Sequence, residues 1–290
     1  IGGLLTTTAA AGGTLDAASV DLNAGITSNG APVVLNASTL VDLASGQTIT
    51  TTAAANSGLI SGLIDINVSG TGTVNLVGDL VTTGATHATL TGSAGGAVTI
   101  DTANNTIAVA NITTSGGAAA AALQTGGAAG TIGINTGTDN VITLNASTLT
   151  AAGGTGATQG AGATISFGDP VSLATGPVAI STGATAGNIS FGQTLYGGQT
   201  LGLTSGTGNI SFAGIVGATP LGAVTINLAN NVTTSAAFSA ASVNQATSGT
   251  GTTQIGGLLT TTAAAGVTLD AATVDLNAGI TSNGAPVVLN

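Results

Sequence analysis

The chain has 290 residues, a formal net charge of -10 and no Lys, Arg, Cys, Met or Trp; charged residues make up 3%, aromatics 2%, and Gly contributes 48. Without cations it has nothing to displace phosphate counterions or clamp a phosphoryl group, which sets aside nucleic-acid binding and phosphoryl transfer. Without cysteine it has no disulfide scaffold and no thiolate metal site.

A hydrophobic fraction of 43% and a mean hydropathy of +0.56 argue against disorder. Five prolines are too few for a collagen-like chain. The longest apolar run, Ala118 to Leu123, is far short of a membrane-spanning helix. Aromatic girdles for an outer-membrane barrel are missing. Short β-rich segments punctuated by Gly, Asn and Ser remain.

Along the chain, residues 1–36 return almost unchanged as residues 255–290, the only differences being Gly13, which becomes Val267, and Ser19, which becomes Thr273. That offset divides the chain into one long tandem unit, 1–254, and the start of the next, 255–290. Neither a Met start nor a signal peptide is present, so the segment reads as a piece of something longer.

A shorter period runs inside the long one. Val20-Asp21-Leu22 recurs as Val41-Asp42-Leu43, and Val74-Asn75-Leu76 as Val98-Thr99-Ile100. The stretches 114–130 and 150–162 are rich in Gly, Ala and Thr with little alternation and read as longer turns or loops. From there the pairs Ile142 and Leu144, Ile165 and Phe167, Ile189 and Phe191, Ile210 and Phe212 follow one another at a near-constant spacing. A second series interleaves with them: Val178 and Ile180, Leu201 and Leu203, Val224 and Ile226. Each pair is apolar–polar–apolar, which places both apolar side chains on one face of a strand.

A period of twenty-odd residues with two or three short strands predicts an all-β, right-handed parallel β-solenoid (β-helix), with roughly 12 coils of roughly 21–24 residues per unit. One coil cannot bury its inward side chains alone, but a stack buries a continuous aliphatic rod. Like residues then lie over like, with Phe167, Phe191 and Phe212 as an inward ladder. Asn29, Asn188 and Asn209 are expected in amide ladders or left-handed turn positions.

The strings GNISFGQTL (187–195), GTGNISFAGIVGATPLGAVTINLANNVTT (206–234) and GAVTIDTANNTI (96–107) resemble the strand repeats of filamentous-haemagglutinin-like and autotransporter-type bacterial exoproteins. That resemblance implies a secreted, cell-surface solenoid used in adhesion, biofilm matrix or filament building.

Catalytic candidates are few. His87 is the one near-neutral base, with Asp79, Asp101 and Ser93 close in sequence; Gly and Thr around it read as a solvent-facing turn, so no catalytic site is assigned and the chain is read as a non-enzyme. Asp21 superficially opens a calcium loop, but Gly25 stands at a ligand position and the chain has no Glu; Asp16 follows Gly12 and Gly13 in a similarly incomplete motif. Both are weak metal candidates, and no bound cofactor is expected. Acidic rods without cations must take counterions from solution, so Ca²⁺ bridging between rods is the one cation role that fits. Thr48, Thr50, Thr52, Thr148 and Thr150 are too sporadic for an ice-binding face. The expected function is a structural repeat module of an extracellular filament or matrix fibre, self-associating end to end or laterally. The alternative is the stalk of a surface-anchored adhesin.

Overall fold

The computed structural model describes residues 1–7, 11–120, 123–137, 140–246 and 251–290. Among these there is no helix, and 28 strands join in one continuous sheet. The pairing is parallel from the first strand to the last, for example Leu5 on Ile26 and Leu269 on Leu289. Such pairing is what a β-solenoid requires.

The pairs sort into three ladders. The first runs Leu5, Ile26, Ile49, Leu80, Ile112, Leu149, Ile180, Leu203, Ile226, Gln245, Leu269, Leu289. The second runs Leu15, Leu35, Ile66, Ile100, Ile134, Phe167, Phe191, Phe212, Thr234, Ile255, Leu276. The third runs Val20, Val41, Val74, Ile107, Ile142, Val171, Leu195, Val216, Phe238, Leu259, Ile280. Along the chain the ladders are visited in the order first, second, third, and one such pass is a coil.

All three turn their apolar side chains into one core. Phe212 of the second ladder meets Phe238 of the third edge-on, with ring centroids 5.5 Å apart. Residues of every ladder line the same small internal cavity, among them Phe212, Ile226 and Leu259. The interior is almost wholly aliphatic because successive residues of a strand alternate sides, so Val, Ile and Leu at every second position fill it while Ser, Thr, Asn and Asp face water. Dispersion contacts and parallel hydrogen bonds therefore carry the fold, in a chain that has no Lys or Arg to form ion pairs.

Coil lengths are uneven. The coil from Ile226 to Gln245 spends about half as much chain as the coil from Ile112 to Leu149. The long coils carry an excursion between the first and second ladders: 51–63, 82–97, 114–131 and 151–164. These four segments stack as a lateral arm. The expectation of loops at 114–130 and 150–162 agrees with the structure, since apart from Thr150 their described residues lie outside the named strands; what it did not foresee is that they are bonded coil to coil.

Hydrogen bonds in the arm run in two directions. Along the rod, Gly84 N–H donates to Ser115 (2.8 Å), Gly116 to Ala152 (2.9 Å), Gly92 to Thr125 (3.0 Å) and Gly126 to Thr158 (2.9 Å). Between outgoing and returning legs a zigzag passes from Gly160 to Gly154, Gly127, Gly117, Ser93 and Ala85, each N–H donating to the next carbonyl. The legs are so close that a Cβ on Gly116 of the outgoing leg would lie 1.8 Å from the Gly127 carbonyl oxygen of the returning leg, and one on Gly127 would lie 1.9 Å from the Ser93 carbonyl oxygen of the neighbouring coil. Glycine is needed here for close backbone approach, and this explains why the arm lacks the apolar alternation of a strand.

Because of the arm, the expectation of about a dozen short, even coils per unit is too high. From Leu5 to its counterpart Leu259 the chain completes nine coils and two-thirds of a tenth. Two rung assignments also change. Ile142 and Leu144 stack on Val171 and Leu173 in the third ladder; Ile132 and Ile134 lie over Ile165 and Phe167 instead. Val74 to Leu76 stack on Ile107 to Val109, not on Val98 to Ile100, which pair with Ile64 to Ile66.

Candidate functional site

The aromatic ladder lies where the spacing puts it. Phe167, Phe191 and Phe212 are fully buried, with parallel rings 5.0 and 5.2 Å apart. Ile165, Ile189 and Ile210 form the neighbouring row. Val178 and Ile180 stack on Leu201 and Leu203, and these on Val224 and Ile226. All these side chains are interior and present nothing to a ligand.

His87 departs from its expectation. It is buried at 3% exposure, not solvent-facing, and its Nε2 lies 2.9 Å from the Oγ of Ser93, itself 8% exposed. The arm causes this: His87 leaves on the outgoing leg, paired with Ala119 of the next coil, and Ser93 comes back on the other leg. The carboxylates near it in sequence do not join it. Asp79 accepts from Asn111 Nδ2 (2.9 Å) and Asp101 from Asn135 Nδ2 (3.2 Å), both in strands of the rod. Among the described residues no carboxylate is hydrogen-bonded to the dyad as an orienting partner of the kind a hydrolase uses, and its bond satisfies two buried polar groups.

Asp16 and Asp21 belong to a single strand, Gly13–Leu22, and not to a loop. Asp16 sits on the second ladder and accepts from Asn36 Nδ2 (2.6 Å), whereas Asp21 sits on the third and accepts from Asn23 Nδ2 (2.9 Å). Their carboxylates face solvent on different sides of a bend. Asp21 pairs in register with Asp42, which in turn accepts from Asn75 Nδ2 at 2.6 Å. Among the described residues no group of three or more His, Asp or Glu is placed to hold a metal ion.

Outside the second ladder, amides and hydroxyls line an open groove of about 550 Å³, including Asn188, Asn209, Asn231, Ser190, Ser211 and Thr233. Asn188 Oδ1 accepts from the Asn209 N–H (2.9 Å), Asn209 Oδ1 from the Asn231 Nδ2 (2.8 Å), and Asn231 Oδ1 from the Thr252 N–H (2.7 Å). The expected amide-on-amide contact is present at Asn209, with Asn231, whereas Asn188 reaches the Asn209 backbone, and Asn29 occupies the left-handed turn position at φ 47°. Each oxygen ties its own coil to the next.

Sequence reasoning missed a column of buried hydroxyls at the base of the arm and the turns after it. Thr82 Oγ1 donates to the Gly96 carbonyl, Thr114 Oγ1 to Gly130 (2.6 Å), Thr182 Oγ1 to Gly187 (3.0 Å) and Ser205 Oγ to Gly208 (3.1 Å). The available signal was a Thr or Ser two positions after the inward residue of many first-ladder strands, as at Leu80, Ile112, Ile180 and Leu203, though Ala151, Leu228 and Ala271 break the series. Thr clusters elsewhere give one outward row, Thr27, Thr50, Thr113, Thr150 and Thr204, broken by Val81 and Ser181.

No family model, curated protein or solved structure matches the chain.

Proposed function

We propose that this chain is a structural repeat module of an extracellular filament or matrix fibre, a right-handed β-solenoid extended by stacking of coils. The observation that carries the reading is the register at the two ends. Residues 1–36 and 255–290 share nearly one sequence and make the same pairings: Leu5 on Ile26 and Leu259 on Ile280, Gly13 on Val33 and Val267 on Val287. Residues 255–290 thus continue the stack on the coils before them by the pairing used throughout.

Right-handed winding follows from the crossover preference of parallel strands. An extracellular setting suits a surface with no Lys or Arg, which offers trypsin-like proteases no site. Counter-ions for ten carboxylates come from solution, and Ca²⁺ bridging neighbouring rods belongs to this reading.

The test is fibre diffraction and electron microscopy of the native assembly. A meridional spacing near about 4.8 Å is expected, with added Ca²⁺ thickening bundles and a chelator loosening them. Globular particles without that spacing would overturn the reading, and single cell-anchored stalks would favour an adhesin stalk.

A further inference from the structure

Leu5 lies on the first ladder, but its counterpart Leu259 lies on the third. Leu15 lies on the second and its counterpart Leu269 on the first. Leu22 belongs to the third-ladder strand and its counterpart Leu276 to the second. All three comparisons give the same displacement, because one tandem unit makes nine and two-thirds coils.

We propose that consecutive tandem units join without a break and that each is turned by one face of the three-sided rod relative to the unit before it. The coil made by Phe238–Gln245 and Thr252–Ile255 is the docking surface, and its partner is the first coil of a second copy of the unit. The structure shows that seat occupied: Leu259 rests on Phe238, Val267 on Val243 and Val274 on Thr253. The inference deepens the filament reading and rests on it for the existence of further units.

The consequence is geometric. At about 4.8 Å per coil, one unit advances about 46 Å along the axis, and three units, about 29 coils, bring every ladder back to its starting face after about 140 Å. The glycine arm leaves the rod between the first and second ladders, so arms of successive units point in three directions about the axis. A unit of a whole number of coils would put every arm on one edge. The fractional count gives lateral neighbours on all sides, which suits a three-dimensional bundle and not a flat ribbon.

Two measurements test this. The chain has no cysteine, so engineered pairs report register without background. Stacked residues of neighbouring coils lie within disulfide range. In the 290-residue chain, Ser239→Cys with Thr260→Cys, and Asn244→Cys with Thr268→Cys, should each close an intrachain disulfide under mild oxidation. Ala246→Cys with Thr260→Cys should stay reduced. Closure of that third pair in place of the first would put Leu259 opposite Gln245 on the first ladder and overturn the proposal.

Cryo-electron microscopy of a chain of three consecutive units should show arms about 46 Å apart at three azimuths, and arms along one edge would overturn it. If the first two disulfides close but the three-unit chain gives no rod, the filament reading fails while the face displacement at the junction stands.

Discussion

Phe191 lies over Phe212 with ring centroids 5.2 Å apart and planes inclined by 3°. A full turn of chain separates them in sequence, yet in space they are direct neighbours, and both are sealed from solvent. The contact is the smallest unit of the architecture: like residue over like, held by parallel pairing of Ile189–Phe191 and Ile210–Phe212.

Replacing Phe191 with Ala should remove a side chain stacked on both sides and cost about 3–5 kcal/mol. In a stack of coils the loss is local, so hydrogen exchange should accelerate most at Ile165–Phe167 and Ile210–Phe212 and little in the first coils. Uniform acceleration along the rod would count against nearest-neighbour stacking.

Gly127→Ala should unravel the arm, because the new Cβ meets the Ser93 carbonyl oxygen at 1.9 Å and backbone cannot yield cheaply. Gly198→Ala, which meets nothing within 4 Å, serves as the control. Exchange at Gly117, Gly154 and Gly160 should rise in the first variant by at least tenfold, equivalent to about 1.4 kcal/mol, and remain unchanged in the second.

Gln245 stands among aliphatic neighbours in the first ladder, fully buried, its Oε1 accepting from Thr253 Oγ1 (2.8 Å) and its Nε2 without a partner among the described residues. The double variant Gln245→Leu with Thr253→Val removes both polar groups together and should stabilise the chain by about 1–3 kcal/mol. Gln245→Leu alone should gain less, since it strands the Thr253 hydroxyl. Denaturant midpoints of the three proteins, read with a probe near Ile255, check the order.

His87→Leu should destabilise the arm by about 1–3 kcal/mol by leaving the buried Ser93 hydroxyl unpaired. Adding Ser93→Ala should recover part of that loss, and the non-additivity of the cycle measures the Nε2–Oγ bond. Equal losses in single and double variants would show that the histidine acts through packing alone.

Much of this was legible in the sequence because it is local. Inward and outward positions follow from period-two alternation, and the register of Val178, Leu201 and Val224 follows from even coil lengths where no arm intervenes. Upstream, spacing alone fails. Ile142 precedes Ile165 by one coil at the local spacing, yet it sits on another ladder because the arm lengthens the coils around it. His87 departs from expectation for the same reason: glycine-rich sequence normally marks solvent-exposed turns, but here it packs two legs of backbone tightly enough to enclose a side chain.

By itself the sequence determined the chemistry of the rod: an aliphatic inside, a hydroxyl, amide and carboxylate outside, no Lys or Arg, and a segment, 1–36, that returns almost unchanged as 255–290. The tertiary structure decided which residue stacks on which, the existence of the arm, and the one-face displacement between Leu5 and Leu259. The physical reason is that side-chain alternation depends on the chain's immediate neighbours, whereas stacking depends on how many residues each coil spends in closing on itself. That number is set by backbone packing between glycines far apart in sequence.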